Sequence, residues 1–229
     1  MPFIRISTNI FAVGSSELSQ SSDAYSYLVK TKNNNLVLID CGVDSFNIIA
    51  QNIKETNNKL ENLIGLILTH FHIDHIGSAH DFKFHYPKIK IYAHELDKDI
   101  IEGIGNIEVK TAAKWYGVNY TPVKVDVIIK SKEEKLNIDG IEFLFIHTPG
   151  HTPGSLSIIV EDDGKKILFG QDIHGPFMNE FDSNIEDWKN SMKILLSKEV
   201  DILAEGHYGI FKSKNSVKNF IISQLKNHE

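Results

Sequence analysis

Leu63-Ile64-Gly65-Leu66-Ile67-Leu68-Thr69-His70-Phe71-His72-Ile73-Asp74-His75 runs from an apolar stretch directly into three imidazoles and a carboxylate. Six apolar residues, too few for a helix of ordinary length, read as a strand buried on both faces. The polar residues behind it are borderline-to-hard ligands suited to zinc, iron or manganese. A packed core alone has no use for four of them on one turn. In extended chain His70 and His72 project to the same side, whereas Asp74 and His75 fall on the next bend and can address a second ion. Two cations are the economical explanation.

Further along, three chemistry-bearing residues each stand just beyond a short apolar run. His151 lies in Thr148-Pro149-Gly150-His151-Thr152-Pro153-Gly154-Ser155, between strands read at Ile141 to Ile146 and Leu156 to Val160. Asp172 closes Phe169-Gly170-Gln171-Asp172, and His207 closes Glu205-Gly206-His207 after Ile202-Leu203-Ala204. Taken singly, they could be a turn, a helix cap and a hydrogen-bonded strand-end histidine. Their shared position at strand ends places them on the sheet edge where α/β proteins hold ligands. Upstream, Leu36-Val37-Leu38-Ile39-Asp40-Cys41-Gly42 is a strand ending in a carboxylate.

These motifs resemble the metallo-β-lactamase superfamily, whose hallmark His-x-His-x-Asp-His is matched from His70 to His75, with His151, Asp172 and His207 following in order. The resemblance implies an α/β fold, a four-layer αβ/βα sandwich with helices outside two facing sheets, as one domain over residues 1–229. It implies that His70, His72 and His151 hold one metal, that Asp74, His75 and His207 hold the other, and that Asp172 bridges them. Asp74 and Asp172 are then the catalytic carboxylates, and Asp40 and Thr69 support the ligands from behind. The implied cofactors are two divalent ions, zinc first, with iron or manganese as alternatives. The implied activity is a metal-dependent hydrolase in which a hydroxide shared by the two ions attacks a small ester, thioester, lactone or phosphoester.

His174, two residues after Asp172, and Tyr208, beside His207, are candidates for touching substrate. His80, His85, His94, His147 and His228 lie outside the pattern and read as surface or structural histidines. Residues 104–122, with Trp115, Tyr116 and Tyr120, form the least regular stretch. It reads equally as a substrate-covering flap, a homodimer contact or core packing.

Elsewhere the pattern alternates between strand and helix. Strands are expected at Ile4 to Val13, Tyr25 to Lys30, Leu36 to Ile39, Ile89 to Tyr92 and Val125 to Ile129, with a hairpin through Asp162-Asp163-Gly164. Helices are expected at Ser45 to Glu55, after Asp74, from His94 or Glu95, and at Asn184 to Leu196. Ser45 and Ser213 are expected caps, and Val217, Phe220, Ile221 and Leu225 form the stripe of a closing helix.

A formal charge of −6 with lysines scattered among acids argues against nucleic acid, leaving a small-molecule substrate. Arg5 is the only arginine, so bidentate clamping of phosphate or carboxylate must come from elsewhere. The single Cys41 and the absence of a signal-like or membrane-length apolar stretch lead to the expectation of a cytoplasmic protein with no membrane partner.

Within the superfamily, glyoxalase II enzymes carry a further glutathione-contacting helical domain, whereas 22 residues follow His207 here. Quorum-sensing lactonases place a tyrosine three positions after the bridging aspartate, where this chain has Gly175. True β-lactamases of the family usually lack the carboxylate present here as Asp74, and flavodiiron reductases replace the second histidine, here His72, by glutamate. Two other readings remain: a mononuclear iron persulfide dioxygenase, and a non-catalytic, metal-stabilised binding protein.

Overall fold

The computed structural model describes residues 1–228. Its first sheet has seven strands in sequence order: β1 Ile4–Arg5, β2 Ile10–Gly14, β3 Ser26–Lys30, β4 Leu36–Ile39, β5 Leu63–Ile67, β6 Lys90–His94 and β7 Val127–Ile129. The first four pair antiparallel, and β4 to β7 pair parallel through helical crossovers. Six strands make the second sheet: β8 Glu133–Ile138, β9 Ile141–His147, β10 Leu156–Asp162, β11 Lys165–Gln171, β12 Ile202–Glu205 and β13 Ile210–Phe211. Only β11 and β12 pair parallel in it.

The layers follow from side-chain alternation. On β4, Leu36 and Leu38 face α1 (Phe46–Glu55) and α3 (Ala79–His85), where Ile49, Ile53 and Phe82 complete one apolar cluster. Val37 and Ile39 point the other way, into a cluster shared with Phe143, Phe145, Ile158 and Phe169 of the second sheet. Both faces of β4 are therefore buried, which is why it reads as a continuous apolar run. On the outer face of the second sheet, Leu168 and Leu203 meet Trp188, Met192 and Leu195 of α7 (Ile185–Ser197) and Val217, Phe220 and Ile221 of α8 (Lys214–Asn227). Helix, sheet, sheet, helix is the four-layer sandwich expected.

Caps and boundaries show where local chemistry decides. Ser213 accepts from the Ser216 amide while the Ser216 side chain bonds back to Ser213, a reciprocal cap on α8. Asn184 caps α7 through the amides of Glu186 and Asp187. Ser45 stands at the N-cap of α1 but its hydroxyl donates instead to Asp23 and to the Val43 carbonyl, so the expected side-chain cap is not made. The single strand expected from Ile4 to Val13 is broken into β1 and β2, because the Thr8 and Asn9 amides are drawn to Asp163 and Asp162 of the β10–β11 hairpin. The sequence reading missed β8, a mostly polar edge strand that has no strong apolar alternation.

The parallel pairings fix where the polar turns emerge. Ile39 is level with Ile67, so Asp40 and the His70–His75 turn leave the same edge of the first sheet. Gln171 is level with Glu205, so Asp172 and His207 leave the same edge of the second.

Candidate metal centre

The seven side chains converge into two groups that share one member. His70, His72, His151 and Asp172 form one; Asp74, His75, Asp172 and His207 form the other, the ligating atoms of each lying within 4.8 Å of one another. All are buried except His207, whose side chain is 32% exposed and opens its group to solvent.

Neighbours prepare the rings. Asp40 accepts from the Thr69 amide at 2.9 Å, the Thr69 hydroxyl at 2.7 Å and His75 Nδ1–H at 2.7 Å. The Thr69 oxygen in turn accepts from His70 Nδ1–H at 3.1 Å, so Asp40 and Thr69 stand behind the rings of His75 and His70. His151 Nδ1–H donates to the Pro176 carbonyl at 2.8 Å. Each outer proton fixes a tautomer whose Nε2 carries an inward lone pair.

Those lone pairs lack protein partners of the right kind. His72 Nδ1 lies 3.1 Å from His70 Nε2 and 2.8 Å from His151 Nε2, three acceptor-type nitrogens crowded together. His75 Nε2 and Asp172 Oδ1 are 3.1 Å apart, yet both are buried without a hydrogen-bond partner. His207 Nε2 sits 3.2 Å from Asp74 and 3.3 Å from Asp172. Orphaned polar atoms aimed at common points are costly unless a cation compensates them, so the donor set fits divalent metal ions.

A family model for the metallo-beta-lactamase superfamily matches residues 22–207. The chain belongs to this superfamily. It is 32% identical over 149 residues to the hydroxyacylglutathione hydrolase GloC of Haemophilus influenzae, an alignment spanning 61% of each chain. It is 26% identical to the probable metallo-hydrolase YflN of Bacillus subtilis, covering 82% of this chain and 81% of that one. The FEZ-1 metallo-β-lactamase of Legionella gormanii superposes with a TM-score of 0.81 at 23% identity, over 99% of this chain and 94% of that one, a likeness of fold.

Electrostatics divides the superfamily cluster into two halves. Burial and the neighbouring imidazoles hold His70 and His72 well below the ordinary histidine value, and burial takes His151 to about 4. Burial also opposes charge on His75 and His207, but the carboxylates outweigh it. Asp172, Asp40 and Asp74 raise His75 well above its ordinary value, and Asp172 and Asp74 raise His207 to about 10. Asp172, despite burial, is held far below the carboxylate range by His207 and His75. The carboxylates thus favour charge on His75 and His207 while burial disfavours it on His70, His72 and His151, and binding of a cation by any of these rings would require its unprotonated nitrogen.

Three supporting residues escaped the sequence reading. Glu205 is buried at the end of β12, accepts from the His207 and Tyr208 amides at 2.7 and 2.8 Å, and takes His174 Nδ1–H at 2.8 Å. Asp97, buried in α4 (Glu95–Ile101), accepts from the Thr152 hydroxyl at 2.7 Å and the Gly154 amide at 2.6 Å, and also takes a backbone bond from Phe71. It ties the His151 loop to the histidine turn. Gly206 lies against Asp172: a Cβ there would come within 2.0 Å of Asp172 Oδ1. Only its place between Glu205 and His207 could have hinted at this.

His174 is placed beside the cluster, its ring 5.3 Å from His207 and 4.9 Å from Tyr208, which is 60% exposed. Residues 104–122 fold into α5 (Ile107–Lys110), α6 (Ala113–Tyr116) and an irregular segment leading toward β7. The Thr111 carbonyl accepts from the Ile73 amide at 2.8 Å, docking this segment on the histidine turn. Burial, with the Asp74 carboxylate, raises the Tyr116 phenol above its ordinary value. Tyr120 is buried and donates to the Ile101 carbonyl. His94 and His147 stack at 3.8 Å outside the cluster. Among the described residues no helix is long and apolar enough to cross a membrane.

Proposed function

We propose that the chain is a dinuclear metal-dependent hydrolase of a small ester, thioester, lactone or phosphoester. The observation that carries this reading is that Asp172 is common to two four-residue groups of ligand-type atoms. His70, His72, His151 and Asp172 would hold one ion, and Asp74, His75, His207 and Asp172 the other. A bound pair of divalent ions, zinc first, supplies an acidified water and polarises the oxygen of the bond to be cleaved. The protein's own residues supply alignment. Asp40 and Thr69 orient the rings of His75 and His70, Asp97 locks the two loops together, and Glu205 holds His207 and His174 at one wall. Kinship with GloC and YflN supports hydrolysis.

The test is metal quantification on purified protein, followed by assay of zinc-, manganese- and iron-loaded samples against thioester, lactone, phosphodiester and persulfide substrates. Two metals per chain with hydrolytic turnover is the expected result. One iron per chain with turnover of persulfide alone would overturn it, and so would a loaded protein inert to every substrate.

A further inference from the structure

Four imidazoles of the cluster are buried, and three of them have a polar group behind the ring. Thr69 stands behind His70, Asp40 behind His75 and the Pro176 carbonyl behind His151. Among the described residues His72 has no such partner. Its Nδ1 is the atom that faces the cluster, 3.1 Å from His70 Nε2 and 2.8 Å from His151 Nε2, while its Nε2 is buried without a hydrogen bond. A neutral imidazole that gives Nδ1 to a cation carries its proton on Nε2. That proton has no acceptor, and the angle of the ring must be set by something other than a hydrogen bond.

What stands against His72 is aromatic. Phe181 is 1% exposed, its ring centroid lies 4.3 Å from that of His72, and the two planes meet at 65°. Phe71 is a second aromatic neighbour at 5.3 Å, but it belongs to the same turn. Phe181 comes from a distant part of the chain, on a single helical turn, Asn179–Phe181, that is fastened on its C-terminal side. Lys110 of α5 pairs with Asp182 at 2.5 Å, and the Ser183 hydroxyl donates to the His151 carbonyl at 2.6 Å. Trp115 of α6 packs on Phe181, the rings 5.1 Å apart and tilted by 56°. Residues 181–183 thus touch two of the three histidines of the first group, one through an aromatic ring and the other through a hydroxyl.

Resting on the reading of this cluster as a metal centre, we infer that Phe181 is a positioning residue for the first ion: its ring covers the Nε2–H of His72 and fixes the angle at which Nδ1 meets the metal. It occupies the place that a hydrogen-bond acceptor takes behind the other buried rings. An aromatic face accepts an N–H only weakly, so the contact acts chiefly through packing. A carboxylate or carbonyl behind a ring also makes the ligand more basic, which Phe181 does not. The hold on His72 therefore depends on the shape of one side chain.

Zinc affinity and ring spectroscopy test this. Competition against a chromophoric chelator is expected to show one of two zinc ions bound about tenfold more weakly in Phe181→Leu, the lower end of the 10- to 100-fold loss that follows removal of an outer partner. Phe181→Ala should lose more. Phe143→Leu makes the same exchange at a fully buried ring between the two sheets and should leave both zinc affinities unchanged. On metal-free protein, nuclear magnetic resonance should find the carbon-bound ring protons of His72 displaced by the ring current of Phe181, and restored toward ordinary positions in Phe181→Leu. In the zinc-loaded protein the His72 Nε2–H should resonate upfield of the hydrogen-bonded ring protons of His70, His75 and His151.

Wild-type zinc affinity in Phe181→Leu, an equal loss in Phe143→Leu, or a His72 Nε2–H downfield among the hydrogen-bonded three overturns the inference while the metal centre stands. A wild-type chain that takes up no zinc, manganese or iron removes the metal reading instead, and the His72 ring-proton shifts on metal-free protein then decide the Phe181 contact separately.

Discussion

A methyl group at position 206 tests whether Asp172 is held where the proposed pair of cations would need it. A Cβ built there lies 2.0 Å from Asp172 Oδ1, whereas real Cβ contacts stay above 3.0 Å. The backbone cannot retreat easily: the Gly206 amide donates to the Gln171 carbonyl at 3.2 Å, and its carbonyl accepts from the Tyr25 amide at 2.7 Å. Asp172 must therefore move by about 1 Å, the difference between those two limits. That takes it away from His75 and His207, now 3.1 and 3.3 Å from its oxygens. A misplacement of about 1 Å costs roughly a hundredfold in rate, equivalent to about 2.7 kcal/mol of barrier. Gly206→Ala should lose about two orders of magnitude in kcat and bind a second zinc far more weakly. Zinc competition against a chromophoric chelator and steady-state hydrolysis measure both, and thermal melting of the metal-free variant confirms that the fold persists. Wild-type zinc stoichiometry, affinity and turnover in Gly206→Ala would refute the claim that Asp172 is the shared ligand.

Three further outcomes are expected. Asp40→Ala leaves the ring protons of His75 and the Thr69 hydroxyl without their acceptor, and should weaken metal binding by about 10- to 100-fold, read by the same chelator competition. Stripping the metal with a chelator should lower the melting temperature by roughly 10 °C, because a ligand at about a thousand times its Kd contributes about 4 kcal/mol and each kcal/mol moves a chain of this size by about 2–4 °C. Burial raises the Asp97 carboxyl to about 7 against bonds from Thr152, Gly154 and Phe71. A raised folded-state value favours the protonated form, so this residue's contribution is full below its ordinary value of 3.8 and declines as pH rises through about 7. Metal-free wild type should thus lose more denaturant resistance between pH 5 and 8 than Asp97→Asn. Equal losses in the two proteins would contradict the assignment.

Much of the centre was legible because metal chemistry leaves local marks. His70, His72, Asp74 and His75 are four ligand-type side chains in six residues, and His151, Asp172 and His207 each follow a strand recognisable from its apolar run. The closing helix was legible for the same reason: Ser213 and the stripe at Val217, Phe220 and Ile221 act within one or two turns. Thr8 and Asn9 show the limit. Nothing in residues 4–13 announces that Asp162 and Asp163, on a distant hairpin, capture those amides and break the strand.

Ligand identity, strand alternation and helix caps are set by neighbours along the chain, and those the amino-acid order determined alone. Tertiary structure decided what depends on distant groups meeting. It docked residues 104–122 on the histidine turn through the Ile73 amide and the Thr111 carbonyl, and drove Asp97 between two loops. It also brought Gly206 so close to Asp172 that no side chain fits. The physical reason is range: a hydrogen bond or van der Waals contact acts over a few ångströms of space, and only folding makes residues far apart in sequence neighbours at that scale.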